Sequence, residues 1–220
     1  MTVSGAPADK PGRLVDASEA VVVLGAPPRF VSRGGEKLAA AIRAMEIEVA
    51  GRRALDAGAS TGGFVDCLLQ HGAASVVAVD VGHGQLHERV TADARVIRLD
   101  RSNVRDLTPD DVGGAVEIVT ADLSFISLVT VADALLGLAG SGAELVLLVK
   151  PQFEGGRQEA AKGKGVIRDP AVWRHSLERV MSAYEARGAT IMGAMVSPLR
   201  GADGNVEFLL HLRAPDREAR

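Results

Sequence analysis

Residues 54–64 read Ala-Leu-Asp-Ala-Gly-Ala-Ser-Thr-Gly-Gly-Phe, a short apolar run that passes into a turn with three glycines. The pattern predicts a β-strand, a tight turn and the start of a helix. Such a turn leaves backbone N–H groups unpaired at the helix N-terminus, and glycine allows a ligand to approach that backbone closely. We therefore expect the turn to bind a ligand and the rest of the chain to be arranged around it.

The spacing of the glycines helps to choose between two ligands. A dinucleotide-binding turn has a second glycine two residues after the first, so that the backbone can approach the pyrophosphate. Ser60 occupies that position here, in the order Asp56-x-Gly58-x-Ser60-x-Gly62-Gly63. This order is similar to the first motif of methyltransferases that bind S-adenosylmethionine, which has no pyrophosphate. Asp80 ends the next apolar run, where its carboxylate is placed to accept hydrogen bonds from ribose hydroxyls; a plain strand–helix turn is the alternative.

Composition sets the size and the class of the protein. The chain has 220 residues, 47% of them hydrophobic, which is enough for one substantial core and a small appendage. The formal net charge is −3, so any nucleic-acid-binding surface must be local. Cys67 is the single cysteine, so there is no intramolecular disulfide. Without an apolar run near the ~18 residues of a membrane span, we expect a soluble cytoplasmic protein with no membrane partner.

The chain divides into three parts. In residues 1–28 two short β-like runs, 1–3 and 20–24, predict a hairpin followed by a proline-containing linker. Residues 29–213 form the main domain, and residues 214–220 are a charged segment that we expect to be a flexible tail.

The main domain alternates strands and helices. Its apolar runs are continuous, which indicates strands buried on both faces of a parallel sheet, an α/β fold with helices on both faces. We count seven strands, with a long helix at 127–139 and another that begins at Asp169-Pro170. After the first strand, the predicted strands are Ser75–Asp80, Arg95–Asp100, Val116–Leu123, Ala143–Lys150, Ile191–Pro198 and Val206–Arg213.

Charged residues end several of these apolar runs. Asp122 and Lys150 follow strands at the carboxyl edge of the sheet, where ligands bind in open α/β folds. Glu207 would face the same edge if the last strand runs antiparallel to its neighbours. Strand ends also carry charge simply because they meet solvent, so each residue alone is ambiguous. Together with Lys37 they suit methylation of an alcohol, since a lysine amine can take the hydroxyl proton while carboxylates hold the charged form.

Five ordered motifs resemble the TlyA family of FtsJ-like ribose methyltransferases. They are residues 32–34, 55–64, 122–128, 149–154 and 204–207. The resemblance implies a Rossmann-like class I methyltransferase fold with an antiparallel last strand. It implies transfer of a methyl group from S-adenosylmethionine to ribose 2′-hydroxyls, with cytidine the target, in ribosomal RNA or ribosomal subunits.

The same resemblance implies the site residues. A catalytic tetrad falls on Lys37, Asp122, Lys150 and Glu207, with Lys150 as the base. Asn103 stands where relatives place an adenine-contacting residue, and Asp122 also belongs to the cofactor site. The full set of expected cofactor-binding residues is Asp56, Gly58, Ala59, Ser60, Thr61, Gly62, Gly63, Phe64, Asp80, Asn103 and Asp122.

One departure from the family concerns RNA binding. Relatives begin with a small RNA-binding module of the αL type, of which residues 1–28 resemble only the closing hairpin. The RNA contacts that we expect in this chain are cations near the main-domain entry and in a glycine-rich loop, namely Arg29, Arg33, Arg157, Lys162, Lys164 and Arg168. We expect the loop cations to meet phosphates that flank the ribose.

Two other functions remain open at this stage. A membrane-active haemolysin or cytolysin would need an amphipathic insertion segment and interfacial aromatics, yet aromatic residues are only 3% of the chain. Methylation of an amine would favour prolines after Asp122, where the sequence has Leu-Ser-Phe. We predict no metal site, and the sequence leaves the oligomeric state open.

Overall fold

The fold of the main domain is a seven-stranded sheet with helices on both faces. The computed structural model describes residues 1–8, 12, 14–22, 28–155, 165–201 and 203–216. A separate sheet near the N-terminus contains β1 (Thr2–Val3), β2 (Ala6–Pro7) and β3 (Val21–Val22). The strands of the main sheet are β4 (Arg53–Ala57), β5 (Ser75–Val79), β6 (Val96–Leu99), β7 (Val116–Ala121), β8 (Ala139–Val149), β9 (Thr190–Val196) and β10 (Phe208–Arg213). The helices are α1 (Arg33–Ala44), α2 (Gly63–Gln70), α3 (Glu88–Thr91), α4 (Ala132–Leu138), α5 (Pro151–Glu154) and α6 (Pro170–Glu185), with 3-10 turns at Val104–Asp106 and Asp110–Val112.

The topology confirms the predicted α/β class. The strand order is β6-β5-β4-β7-β8-β10-β9, and β4 to β8 pair in parallel. The last strand, β10, is antiparallel to both of its neighbours. The chain leaves β4 toward β5 on one side and later returns to β7 on the other, so the order reverses between β4 and β7. Such a reversal opens a crevice at the carboxyl ends of the two strands.

Apolar clusters fill both faces of the sheet. One face packs against α4 and α6, where Leu135 and Tyr184 are fully buried. The other packs against α1 and α2, through residues such as Leu38 and Leu68. The strands therefore have apolar side chains on both faces, which is why their sequences are continuous rather than alternating.

The N-terminal hairpin is partly as predicted. β1 and β3 pair antiparallel, as expected for the two apolar runs. The additional strand β2 forms because Ser4 and Gly5 adopt left-handed φ angles of 49° and 81°, which fold the chain back on β1. Residues 9–11, 13 and 23–27, which include part of the predicted linker, lie outside the described residues.

Several predicted boundaries were wrong. Strand β8, for example, begins at Ala139 and not at Ala143. The helix expected at 127–139 begins only at Ala132, because the backbone of Leu128 is used in tertiary bonds: its N–H donates to Glu154 (2.7 Å) and its carbonyl accepts from Tyr184 (3.2 Å). Ala214, the predicted first residue of a flexible tail, is buried, and its N–H donates to the Ala143 carbonyl at 2.8 Å. Residues 217–220 lie outside the described part of the chain.

Close backbone approach at two glycines brings α1 to the ligand-binding turn. A Cβ on Gly63 would lie 2.1 Å from the Ser32 Oγ, and a Cβ on Gly35 would lie 2.3 Å from the Phe30 ring. Because Phe30 is almost fully buried, its ring has no open space into which to move. The first turns of α1 and α2 therefore touch directly, and this contact carries Lys37 to the edge of the sheet.

We predict that Gly35→Ala destabilises the fold by about 1–3 kcal/mol, because the new methyl group overpacks the Phe30 site. Gly34→Ala is the matched control: its Cβ would meet its nearest neighbour at an ordinary 3.4 Å, and alanine favours a helix over glycine by roughly 0.5–1 kcal/mol. Urea unfolding measures both variants. Equal stability of the two variants would mean that the packing of Phe30 against α1 does not depend on glycine at position 35.

Candidate active site

The crevice between β4 and β7 holds the turn that follows β4. The Gly58 N–H donates to the Val79 carbonyl (2.9 Å), and the Asp122 N–H donates to the Ala57 carbonyl (3.0 Å), so the ends of β4, β5 and β7 are tied together. Gly58 has a φ of 84°, and a Cβ there would lie 2.6 Å from the Asp122 carbonyl oxygen. The turn therefore requires glycine for its backbone conformation and for its distance from Asp122.

Two cavities open at this edge and meet at Asp122. The larger, of about 630 Å³, is lined by residues that include Lys37, Asp56, Lys150 and Glu207, and we call it the large cavity. The second, of about 440 Å³, is lined by residues that include Asp80, Gln85 and Asn103, and we call it the side cavity. Both cavities are lined by Gly58, Ser60, Asp122, Ser124 and Phe125. A ligand can therefore extend from one cavity into the other past Asp122.

An ion pair joins α1 to the segment before β10. The Lys37 Nζ lies 2.5 Å from the Glu207 Oε2, and both side chains are almost fully buried. Glu207 faces the carboxyl edge because β10 runs antiparallel, as the sequence predicted, although it lies just before the strand rather than within it. The pair stands in the wall of the large cavity.

A second ion pair joins the ends of β7 and β8. The Lys150 Nζ lies 2.6 Å from the Asp122 Oδ1, and it donates a hydrogen bond to the Ser124 hydroxyl at 3.1 Å. The Lys150 nitrogen has three positions for hydrogen-bond partners. Asp122 and Ser124 take two of them, so the third points away from both. The four residues of the predicted tetrad thus line one cavity, each lysine paired with one carboxylate.

A buried glutamate fixes the segment that carries Asp122 and Ser124. Glu154 is 2% exposed and accepts hydrogen bonds from the Ser127 hydroxyl (2.5 Å) and the Leu128 N–H (2.7 Å). Burial raises the pKa of this carboxyl, while the two hydrogen bonds favour its ionised form. Glu154 lies on α5, the helix that begins directly after Lys150. Because Glu154 also binds the segment that follows Asp122, it holds Lys150 and Asp122 in position relative to each other.

Asp56 has an unused carboxylate oxygen beside the large cavity. Its Oδ1 accepts a hydrogen bond from the Thr120 hydroxyl at 2.7 Å, whereas its Oδ2 is buried without a partner in the described part of the chain. Burial raises the pKa of Asp56 to about 7; the Thr120 hydrogen bond opposes this rise, and the charges of Asp122 and Asp80 add to it. A buried acceptor without a partner is costly, so it suits a ligand with a donor group.

The turn connects the large cavity to Asp80. Asp80 accepts hydrogen bonds from the Ser60 N–H (2.8 Å) and the Gly82 N–H (2.7 Å), which fix its orientation toward the side cavity. The Asn103 Oδ1 accepts from the Arg105 N–H (3.1 Å) and so caps a 3-10 turn. Ala59, Thr61, Gly63 and Phe64 line the large cavity, while Gly62 packs toward Leu86 and Val90 instead.

The predicted RNA-binding cations fall into three groups. Arg33 is exposed at the large cavity, and Arg29 is exposed with its guanidinium 4.6 Å from the Phe30 ring centroid. Arg168 is exposed on the far side of the same edge. Arg157, Lys162 and Lys164 lie outside the described residues. Their role in RNA binding stays a prediction.

Sequence reasoning missed three residues that shape the site. No sequence pattern distinguishes Ser124, because a serine shortly after the end of a strand is common. The position of Glu154 was a weak indication, because an acidic side chain close to the end of a buried strand needs hydrogen-bond donors or cations nearby. Asn205 is 1% exposed, accepts from the Ile167 N–H (2.8 Å) and donates to the Gly165 carbonyl (2.8 Å), so it joins the turn before Glu207 to the segment before α6.

Two other kinds of feature are absent from the described residues. In the part of the chain that the structure describes, no helix has both the length and the apolar character needed to cross a bilayer. Within the same residues, no cluster of three or more histidine, cysteine or acidic side chains is arranged to hold a metal ion.

Comparison with known proteins gives a family and a fold. Residues 30–214 match the FtsJ-like methyltransferase family. The chain is 50% identical over 212 residues to the 16S/23S rRNA (cytidine-2′-O)-methyltransferase TlyA of Mycobacterium tuberculosis, covering 96% of this chain and 79% of that protein. A solved Streptococcus thermophilus structure, named as a hemolysin, is 39% identical with a TM-score of 0.86, covering 96% of this chain and 77% of that one.

A more distant structure supports the fold alone. N-methyltransferase NodS from Bradyrhizobium japonicum, solved in complex with S-adenosyl-L-homocysteine, is 13% identical with a TM-score of 0.60, covering 84% of this chain and 89% of that one. The strand order, the glycine turn and the family match agree, and the chain belongs to the FtsJ-like methyltransferases, enzymes whose expected cofactor is S-adenosylmethionine.

Proposed function

We propose that the protein transfers a methyl group from S-adenosylmethionine to a ribose 2′-hydroxyl of ribosomal RNA, with cytidine as the target nucleoside. The observation that carries this proposal is the junction of the two cavities at Asp122, where a buried lysine stands beside the path from one cavity to the other. A relative that is 50% identical bears the name of a 16S/23S rRNA (cytidine-2′-O)-methyltransferase, which supports the substrate. The substrate is ribosomal RNA itself or an assembled ribosomal subunit.

The residues present fit the cofactor. The side cavity offers the Asp80 carboxylate to ribose hydroxyls and the Asn103 amide to the adenine. The buried Oδ2 of Asp56 is an acceptor for the ammonium of the methionine part, and it gains the partner that it lacks in the free protein. Gly58 keeps the space between these two groups free of side-chain atoms. When bound, S-adenosylmethionine supplies a methyl group on a positively charged sulfur.

The tetrad would act on the acceptor ribose. Once its own ammonium has released a proton, Lys150 would accept the proton of the 2′-hydroxyl as the 2′-oxygen takes the methyl group, and the electrons of the broken carbon–sulfur bond would stay on sulfur. Asp122 and Ser124 hold that amine in place and Asp122 pairs with the ammonium that forms. Lys37, paired with Glu207, lies in the same cavity as a donor for the acceptor nucleotide. General-base assistance contributes about 10²- to 10⁴-fold, so the alignment of hydroxyl and sulfonium must supply much of the remainder.

We do not propose a membrane-damaging activity, although the name hemolysin occurs among the related structures. No observation on the described residues favours it over methyl transfer.

We predict that Lys150→Ala lowers methyl transfer by at least about 10²-fold while the affinity for S-adenosylmethionine stays nearly unchanged. Lys150→Arg should fail as well, because a guanidinium remains protonated and cannot accept the hydroxyl proton. Incorporation of tritiated methyl groups into purified ribosomal subunits measures turnover, and calorimetry measures cofactor binding. Arg43→Ala, which removes an exposed cation of α1, is the control and should leave both unchanged. Wild-type turnover in Lys150→Arg would exclude Lys150 as the base.

We predict that the affinity for S-adenosylmethionine falls on acidification. Burial raises the pKa of Asp56 from 3.8 to about 7, so the free protein holds a proton below that pH, whereas the ammonium of the cofactor binds the carboxylate. Binding then releases a proton, and affinity should drop by up to roughly tenfold per unit below about pH 7 and level off above it. Calorimetry at about pH 6 and about pH 8 measures the change.

The control for this effect is Asp56→Asn, which cannot titrate. It should bind the cofactor weakly at both pH values, without the pH dependence of the wild type. The same pH dependence in both proteins would assign the titration to another group and remove Asp56 from the ammonium site.

A further inference from the structure

A third depression adjoins the large cavity on the side away from the side cavity. It has a volume of about 360 Å³, and Arg168, Trp173, Arg200 and Asp203 are among the residues that line it. We call it the arginine groove. None of the tetrad residues lines it, but Asp203 lines both it and the large cavity, so the two are adjacent.

The walls of the groove are held rigidly. The Trp173 indole N–H donates to the Ile167 carbonyl at 3.0 Å, which fixes the ring against the segment before α6. The buried Asn205 ties the same segment to the turn that carries Arg200, through hydrogen bonds with Ile167 and Gly165. Glu207 follows Asn205 by two residues. The hydrogen bonds of Asn205 therefore hold both the groove and the segment that carries Glu207.

The two arginines of the groove have guanidinium donors that are free among the described residues. The Arg168 guanidinium has no hydrogen bond or ion pair among the described residues. Arg200 makes one hydrogen bond, to the Gly204 carbonyl at 3.1 Å, which leaves most of its donors free. Asp203 is the one acidic side chain of the lining, and the neighbouring Asp169 is used to cap α6 by accepting from the Ala171 N–H at 2.8 Å.

This combination matches one piece of a nucleic acid strand. Two guanidinium groups recognise a phosphate, and an indole face offers a stacking surface for a base of any sequence. The groove is large enough for a single nucleotide but not for a duplex, which is far wider than such a depression. Because the groove adjoins the large cavity at Asp203, a nucleotide in the groove would lie next to the one that enters the large cavity.

We propose that the arginine groove binds the nucleotide adjacent to the methylated one, with its phosphate on Arg168 and Arg200 and its base against Trp173. This inference rests on the proposed function for the identity of the RNA. It adds that the enzyme holds its substrate as an unpaired strand over at least two successive nucleotides. The groove would fix the position of the target ribose without taking part in the chemistry.

The test uses the whole chain and deproteinised ribosomal RNA in filter-binding titrations from about 50 to about 300 mM KCl. The double variant Arg168→Ala/Arg200→Ala should bind about 10- to 100-fold more weakly at low salt, and the slope of log affinity against log salt should flatten by about 1 to 2. The control is Arg174→Ala/Arg98→Ala, which removes two exposed arginines outside the groove.

Trp173→Phe should retain affinity better than Trp173→Leu, because phenylalanine keeps a stacking surface. Thermal melting and cofactor affinity should match the wild type in both double-arginine variants, whereas the two Trp173 variants both lose the hydrogen bond to Ile167 and are compared with each other.

The outcomes separate this inference from the proposed function. An unchanged slope in the double variant, or an equal loss in the control, would overturn the groove as a specific subsite. A Trp173→Leu variant that binds as well as Trp173→Phe would overturn the stacked base. If the wild type transfers no methyl group to the RNA while the double variant still loses affinity and slope, the proposed function falls and the RNA subsite stands.

Discussion

The pairing of Lys150 with Asp122 is the constraint on which the site depends. It joins the ends of two neighbouring parallel strands at the point where the large cavity and the side cavity meet. Lys150 is almost fully buried and Asp122 is partly buried, so the loss of Asp122 would leave the lysine charge without its partner away from water. Ser124 on one side and Glu154 behind hold the pair in place. The rest of the sheet holds β7 and β8 at the distance that the pair requires.

The same logic explains why α1 packs so tightly on α2. Lys37 reaches Glu207 in the wall of the large cavity from a helix whose first turn packs closely against the glycine turn after β4. Glycines in these turns cost conformational entropy. In return they let the α1 backbone approach closely enough for a lysine side chain to complete the second pair. The two ion pairs thus line one cavity.

The sequence predicted the architecture and the main members of the site, but not the bonds that orient them. Continuous apolar runs indicated the parallel sheet, and charges at their ends identified Asp122 and Lys150 before any geometry was known. Local pattern could not show that Leu128 would be held by Glu154 and Tyr184, because these bonds join segments far apart in the chain. The helix predicted at 127–139 was therefore too long. Phe125 is exposed and has a φ of 65°, a left-handed conformation that phenylalanine rarely adopts. Sequence propensity therefore could not predict it.

The most direct measurement of the central claim is the chemical identity of the methylated product. Ribosomal subunits would be incubated with the protein and S-adenosylmethionine carrying a deuterated methyl group, and the RNA would then be digested to nucleosides and analysed by mass spectrometry. We expect the deuterated methyl group on the ribose of cytidine, as 2′-O-methylcytidine. Label on a nucleobase, or no label in the RNA, would contradict the assignment of Lys150 and Asp122 to a ribose hydroxyl.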